Sequence, residues 1–260
     1  MIEIAKTIEA LRAGSAAGDG KSPLRDLGVL SCTNALHIRH APFFDPCLIL
    51  VLSGRKVLFE RGKAVHCPAG SLLAVPGPSG YDLRNEPDPK TKKYAALLIP
   101  FKVELLDRLV RSHNLMHEVR REPAGLLVFG PDETLHGSIH HYLKTLGNAR
   151  LLRHRLMEVL LILATRNPAL LAFGLQREHW SARLRSVLAA DLARAWSIRE
   201  VCRRLATSES TLRRNLRDEG TGFREVLSEL RLASALTQLL STARPVYRIA
   251  YDCGYQSVSR

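Results

Sequence analysis

Residues 196–216 read WSIREVCRRLATSESTLRRNL, and this stretch decides the organisation of the C-terminal part of the chain. Apolar residues such as Ile198 and Val201 recur at helical spacing, which predicts a short helix with one inward face. The pattern breaks at residues 206–208, where Ser208 is a suitable N-cap because its hydroxyl accepts a hydrogen bond from the next turn. Two short helices joined by such a turn are the geometry of a helix-turn-helix.

The second of these predicted helices has an apolar inner face and a basic outer face. Leu212 and Leu216 continue the inner face. The positions turned toward solvent are Ser210, Arg213, Arg214 and Arg217. A guanidinium group donates two parallel hydrogen bonds to phosphate or to guanine, so this face indicates contact with nucleic acid.

The composition agrees with a polyanionic partner. The 260-residue chain has 38 Lys+Arg against 25 Asp+Glu, a formal net charge of +13. Such an excess favours nucleic acid first and an anionic membrane surface second. The length is enough for one large domain or two ordinary ones, each with its own core.

The chain is expected to be cytoplasmic, with no membrane partner. Its N-terminus carries Glu3 and Lys6 and has no apolar signal segment, and the apolar run 156–173 contains Glu158 and Pro168. The 5 cysteines are widely spaced, and no C-x-x-C motif occurs. This pattern predicts free thiols in a reducing compartment.

Residues 27–99 have the pattern of short β-strands. Residues 47–52 form a continuous apolar run, typical of a strand that is buried on both sides. Residues 61–63, Arg-Gly-Lys, separate two short runs and predict a hairpin. Strands with turn signals about every ten residues favour a small antiparallel barrel or sandwich.

After Pro100 the pattern becomes helical. The segment 151–164 carries a wide apolar stripe, which either packs on the barrel or forms a dimer seam. Residues 174–181 are a candidate boundary, and beyond it we expect only helices, among them 182–195 and 222–241.

The C-terminal segment as a whole resembles the DNA-binding domain of the AraC/XylS family. The residues that carry the resemblance are Ser208, Thr211 to Arg214, Leu216, Glu219 to Phe223, Arg231, Ala235, Pro245, Ile249-Ala250 and Gly254 to Ser257. The resemblance implies two helix-turn-helix units on one long helix, which enter successive major grooves of DNA. The second unit is expected to be incomplete, because its reading helix would run past Arg260.

The resemblance also implies which residues contact DNA. They are Ser208, Ser210, Thr211, Arg213, Arg214, Arg217, Ser257, Ser259 and Arg260. Arg213 and Arg214 are placed to meet base edges, and Arg217 lies nearer phosphate.

The N-terminal half resembles, more loosely, the cupin-like regulatory domain of the same family. Phe43, Pro46, residues 47–56 and residues 68–70 carry this resemblance. Such domains sense a small molecule, a protein or a physical cue, and they dimerise. Candidate effector-pocket residues are Phe43, Phe44, Tyr81, Tyr94, Arg39 and Arg55, with Arg84 as a further arginine for an anion.

We therefore predict an α+β protein in three segments. Residues 1–23 are an N-terminal tail. Residues 24–175 form a cupin-like antiparallel β-barrel with a helical dimerisation segment. Residues 178–260 form an all-α helix-turn-helix domain.

Enzymatic and metal-binding alternatives have little support in the sequence. His37 and His40 are three apart and fall on opposite faces of a strand, so they do not form the H-x-H pair of metal-holding cupins. His113/His117 and His136/His140 have the spacing of a helical chelate but no H-E-x-x-H motif. No nucleophile elbow, Walker loop or dinucleotide fingerprint occurs. We expect no enzyme, no metal and no cofactor.

The predicted function is transcription regulation. We expect a homodimeric activator that binds double-stranded promoter DNA, engages RNA polymerase and responds to a small-molecule effector. One alternative is a regulator controlled by a partner protein. The other is a small-molecule-binding cupin-like protein whose DNA-binding domain is non-functional.

Overall fold

The structure is a computed structural model that describes residues 1–15, 27–119, 124–175, 179–242 and 244–255. The chain divides into two compact units, Met1–Leu175 and Gln176–Arg260. The helices of the first unit are α1 (Ile2–Ser15), α2 (Val103–Ser112), α3 (Glu133–Lys144) and α4 (Ala149–Arg166), with short 3₁₀ helices at Met116–Glu118 and Pro168–Leu175. Those of the second unit are α5 (Trp180–Leu188), α6 (Ile198–Arg204), α7 (Glu209–Asp218), α8 (Phe223–Ser241) and α9 (Val246–Asp252).

The strands of the first unit form two antiparallel sheets. They are β1 (Gly28–Cys32), β2 (Leu36–Phe43), β3 (Cys47–Ser53), β4 (Arg55–Glu60), β5 (Lys63–Pro68), β6 (Leu72–Val75), β7 (Ser79–Glu86), β8 (Tyr94–Pro100) and β9 (Leu127–Phe129). One sheet has the order β1-β8-β3-β6-β9 and the other β2-β7-β4-β5. The predicted α+β class is confirmed. Among the described residues no strand pairing closes the two sheets into one barrel.

Strand β3 is buried on both faces, as the continuous apolar run predicts. Ile49 and Val51 belong to the apolar cluster between the two sheets. Leu48 and Leu50, which alternate with them, belong to a second cluster that includes helical residues. Because successive side chains of a strand point to opposite faces, β3 serves both layers and cannot carry polar residues on either.

Helices cover the outer face of the five-stranded sheet. Ile139 of α3 and Val159 of α4 are both fully buried in the cluster that contains Leu48 and Leu50. Ile4 and Ile8 of α1 lie in the same cluster, so part of the segment predicted as a tail packs on the core. None of the helices described here has the length and apolarity needed to cross a membrane.

The second unit is helical, but its first helix is shorter than the sequence predicts. The predicted helix 182–195 ends at Leu188. The Asp191 carboxylate accepts hydrogen bonds from the backbone N–H groups of Ala193 (3.1 Å) and Arg194 (3.2 Å). An aspartate that bonds to nearby backbone stabilises a turn in competition with the helix, which explains the early end.

Candidate nucleic-acid interface

The helix pair α6–α7 is held by an apolar core that belongs to the second unit. Val201 and Leu212 are fully buried, and Leu216 is 1% exposed. They pack with Leu184 and Leu188 of α5. Burial of the inner face leaves the opposite face of α7 at the surface, as the apolar spacing predicts.

The turn between α6 and α7 depends on a left-handed residue. Ala206 has φ 50°, a conformation that non-glycine residues adopt at a cost. The next residue, Thr207, donates its backbone N–H to the Cys202 carbonyl at 3.0 Å, which closes the end of α6. This reversal lets α7 begin at Glu209 immediately after its cap.

Ser208 is the N-cap of α7, and this prediction is confirmed. Its side-chain oxygen accepts a hydrogen bond from the Thr211 N–H at 3.1 Å. The same hydroxyl lies 2.8 Å from the Thr211 hydroxyl and 2.9 Å from the Ser210 hydroxyl. These three hydroxyl groups, all predicted to contact DNA, form one local network at the start of α7.

The three arginines predicted to contact DNA all lie exposed on α7: Arg213, Arg214 and Arg217. Arg213 forms a weak ion pair with Glu209 at 3.8 Å and keeps 59% of its side chain exposed. No ion pair to Arg214 or Arg217 occurs within the described ranges. Exposed arginines at this spacing form a continuous basic face that is suited to phosphate and guanine.

A groove beside the turn extends this basic face. Its lining includes Arg199 and Arg203 of α6 together with Ser197 and Ser208, the N-caps of α6 and α7. Arg199 lies 3.4 Å from a Glu209 oxygen and is 90% exposed. Basic side chains and helix N-termini both attract anions, so the groove adds positive potential next to α7.

Glu219 fixes the far end of α7 to α5. Its carboxylate accepts hydrogen bonds from the backbone N–H groups of Trp180 (2.5 Å) and Ser181 (3.0 Å), and lies 3.6 Å from His179. These N–H groups belong to the first turn of α5, where backbone N–H groups have no acceptor within the helix. The C-terminal end of α7 is thereby attached to the start of α5. The other predicted DNA contacts, Ser257, Ser259 and Arg260, lie outside the described residues.

In the first unit, the structure brings three of the predicted pocket residues into the space between the sheets. Tyr81 and Tyr94 are members of the inner cluster, and Phe43 packs against it. The rings of Phe43 and Tyr81 meet edge to face, with centroids 5.9 Å apart.

The interior also holds the ammonium group of Lys56, which was not among the predicted pocket residues. Its side chain is 1% exposed, and its Nζ donates to Asn85 Oδ1 at 2.7 Å and to Tyr94 Oη at 3.5 Å. Both acceptors are neutral, and no ion pair to Lys56 occurs in the described part of the chain. The sequence contains a signal for this burial: Lys56 is two residues before the apolar Leu58 in β4, and residues two apart in a strand lie on the same face.

The electrostatics of Lys56 follow from its burial. Burial lowers the pKa of its ammonium group to about 8, although nearby thiols favour the charged form. Burial likewise raises the pKa of Cys47 and of Cys67 to about 12. Cys67 is the direct cross-strand neighbour of Lys56 on β5. Among the described residues, the Lys56 ammonium group thus lies between thiols, an amide and a phenol and has no carboxylate partner.

The arginines predicted to line the pocket do not belong to the apolar cluster between the sheets. Arg55 is 53% exposed and pairs with Glu86 at 2.5 Å, and Arg39 is exposed beside the register shift of β2. Arg84 lies 5.0 Å from the ring centroid of Phe59. Phe44 is half-buried just after β2.

The two histidine pairs considered as helical chelates are His113/His117 and His136/His140. The α2 helix ends at Ser112, so His113 and His117 do not share a helix, in contrast to the predicted spacing. His136 Nε2 lies 2.8 Å from the Gly70 carbonyl, and His140 Nε2 lies 3.1 Å from the Thr7 hydroxyl. Within the described ranges no group of three or more potential metal ligands comes together.

Comparison with known proteins gives a family match in each of the two units. Residues 201–260 match the family described as "Helix-turn-helix domain", and residues 46–173 match the "ExsA N-terminal regulatory domain". The HTH-type transcriptional regulator GadX of Escherichia coli O6:H1 is 34% identical over 77 residues, which is 30% of this chain and 28% of GadX. The regulator YdeO of Shigella flexneri is 34% identical over 79 residues, 30% of this chain and 31% of YdeO. The similarity therefore spans about three-tenths of these relatives' length.

A solved structure shares the fold over most of the chain. ToxT from Vibrio cholerae strain SCE256, crystallised with an unsaturated fatty acid, aligns with a TM-score of 0.60 and 15% identity over 90% of this chain and 87% of ToxT. The similarity at this level of identity concerns the fold.

Proposed function

The chain belongs to the AraC/XylS family, and from this premise we propose that it is a transcription regulator that binds promoter DNA through α7. The observation that carries the proposal is the exposed basic face of α7 (Arg213, Arg214 and Arg217) on a helix that is capped by Ser208 and bonded to α5 through Glu219. GadX and YdeO, each 34% identical to this chain over 77 and 79 residues, are HTH-type transcriptional regulators.

The mechanism follows from the geometry of α7. A helix with an exposed polar face enters the major groove, where Arg213 and Arg214 donate to guanine O6 and N7 and Arg217 donates to phosphate. Ser208, Ser210 and Thr211 stand at the N-terminus of α7, which is the end that points to base edges in helix-turn-helix proteins. Their hydroxyl groups both donate and accept, so they suit either phosphate or base.

Salt dependence tests the proposal. Affinity for a 30-base-pair duplex would be measured by fluorescence anisotropy between about 50 and 200 mM salt. Phosphate contacts release counterions, so the logarithm of the affinity must fall linearly and steeply with the logarithm of the salt concentration. A flat dependence, or affinity unchanged after Arg213→Ala with Arg214→Ala, would contradict DNA binding by this chain.

We further propose that the first unit senses an anionic amphipathic molecule. Lys56 supports this, because its ammonium group lies in an apolar interior with neutral partners only among the residues described. ToxT, which shares the fold, was crystallised with a fatty acid. A carboxylate would neutralise Lys56 while an apolar tail lies against the inner cluster.

Thermal unfolding with and without palmitoleate tests the effector. A ligand that binds the folded state raises the unfolding temperature by mass action, so the acid should raise it and the methyl ester should not. Lys56→Met should abolish the shift. An equal shift with acid and ester, or no shift, would favour control by a partner protein.

The remaining parts of the proposal concern the assembled regulator. The protein acts as a homodimeric cytoplasmic activator that recruits RNA polymerase, and it is not an enzyme.

A further inference from the structure

Arg231 of α8 holds the loop that precedes α6. Its Nε donates to the Leu192 carbonyl at 3.0 Å, and its Nη2 donates to the Arg194 carbonyl at 3.1 Å. A planar guanidinium group that bonds to two carbonyls fixes the orientation of the loop as well as its distance. The loop 189–197 is thereby attached to the middle of α8.

The C-terminal end of α9 lies against the same guanidinium group. Gly254, with φ 82°, follows α9, and a Cβ atom there would lie 2.4 Å from the Leu192 oxygen and 2.7 Å from Arg231 Cζ. The turn is closed by hydrogen bonds from the N–H of Gly254 to Tyr251 O and from the N–H of Tyr255 to Ala250 O, both 2.9 Å. Only a glycine allows the backbone to approach Arg231 this closely.

The loop is in turn connected to α6. Trp196 Nε1 donates to the Asp191 carbonyl at 2.7 Å. The guanidinium groups of Arg194 and Arg204 lie 5.0 and 4.7 Å from the Trp196 ring centroid. Both arginines also pair with Glu200 of α6, at 2.8 and 3.4 Å. Contacts therefore run without interruption from α9 through Arg231 and the loop to α6.

A second attachment joins α9 to α8 further along the helix. Gln238 Nε2 lies 3.4 Å from Cys253 Sγ, and Arg244 Nη1 donates to Gln238 Oε1 at 2.8 Å. Positions 231 and 238 are about two helical turns apart, roughly 10 Å along α8. One attachment leaves α9 free to rotate relative to α8, whereas two attachments fix its orientation.

We propose that Arg231 is a positioning residue that couples α9 to the α6–α7 pair and so sets the orientation of α9 relative to that pair. The consequence for DNA recognition rests on the function proposed above, because helix-turn-helix units that share one face of DNA must match its helical repeat. The coupling itself does not depend on DNA.

Hydrogen exchange of the full chain, resolved by peptide and read by mass spectrometry, tests the coupling. Arg231→Lys keeps the charge but removes the planar fork. The amides of the loop 189–197 and of α9 should exchange about tenfold faster, while those of α7 keep their protection, because the fork of Arg231 bonds to the loop and packs against the end of α9. Arg224→Lys, an exposed position on the same helix, should change neither.

Gly254→Ala gives an independent route to the same loss. Its Cβ atom displaces the turn from Leu192 and Arg231, so α9 should again exchange faster with Arg231 intact. If both variants leave α9 protected, the coupling is absent. If Arg231→Lys accelerates every helix of the second unit equally, the residue is a general stabiliser and the proposal is overturned.

Measurement with a duplex separates this inference from the proposed function. Arg231→Lys should weaken binding several-fold with an unchanged salt slope, because no phosphate contact is lost. A slope reduced by about one unit would mean that Arg231 contacts phosphate, which contradicts a positioning role. If the unmodified protein binds no DNA, the proposed function fails while the exchange result still decides the coupling.

Discussion

The two units use positive charge in opposite ways. In the second unit Arg213, Arg214 and Arg217 lie exposed on α7 and are screened by water. In the first unit Lys56 is buried between the sheets with the neutral partners Asn85 and Tyr94. A solvated cation costs the fold little and remains available to a partner, whereas a buried one destabilises the fold until a counter-charge arrives. The comparison predicts that removing surface charge changes binding, and removing buried charge changes stability.

The largest expected effect is on DNA affinity. Arg213→Ala with Arg214→Ala should weaken binding to a duplex selected from a random library on the order of a thousandfold, because each arginine–guanine pair contributes about 1–3 kcal/mol. The measurement is anisotropy at fixed salt, with the unfolding temperature recorded in parallel. The matched control is Arg150→Ala with Arg153→Ala, two exposed arginines of α4, which removes the same charge. Equal losses in both pairs would mean that only net charge matters.

The next effect is the pH dependence that Lys56 imposes on stability. Its pKa in the folded protein is about 8, below the ordinary value of 10.5, so the unfolded chain binds more protons between these values. Stability must therefore rise as pH increases from about 8 to 10.5. Compared with Lys56→Met, the free energy of unfolding of the wild type should gain up to about 3 kcal/mol over this window, measured by urea titration. Arg55→Met is the control, since Arg55 is exposed on the same strand. If the difference in free energy of unfolding between wild type and Lys56→Met does not change with pH, the pKa of Lys56 is not lowered by burial.

A smaller effect concerns the cap of α7. Ser208→Ala removes the acceptor for the Thr211 N–H and should lower the free energy of unfolding of the second unit by about 1 kcal/mol. Ser210→Ala is the control, because Ser210 contacts the same hydroxyl but does not cap the helix. Chemical denaturation followed by circular dichroism measures both. Equal losses would assign the stabilisation to the hydroxyl network rather than to the cap.

The smallest expected effect is at the turn. Ala206→Gly relieves the positive φ of an exposed residue and should stabilise the second unit by a few tenths of a kcal/mol up to about 1 kcal/mol. Ala235→Gly in the interior of α8 should do the opposite, by a similar amount. Both shifts would be read from thermal unfolding. A destabilising Ala206→Gly would mean that the turn is not strained.

The features predicted correctly from the sequence are the local ones. The inner face of α7, its Ser208 cap and the two-sided burial of β3 follow from periodicity and capping chemistry within a few residues. The strand β9 was not predicted, and the helix before α6 ends at Leu188 although its predicted range was 182–195. The short strand β9 exists because it pairs with β6, more than fifty residues earlier in the chain.

By itself, the sequence determined that the chain contains a helix-turn-helix with an arginine face, because amphipathic spacing and N-capping depend on neighbours along the helix. Only the tertiary structure decided that the cation of the β-sandwich is Lys56 rather than Arg55, and that Arg231 meets both Leu192 and Gly254. The physical reason is that burial and hydrogen-bond partners are set by residues far apart in the chain. No periodicity within a single element contains that information.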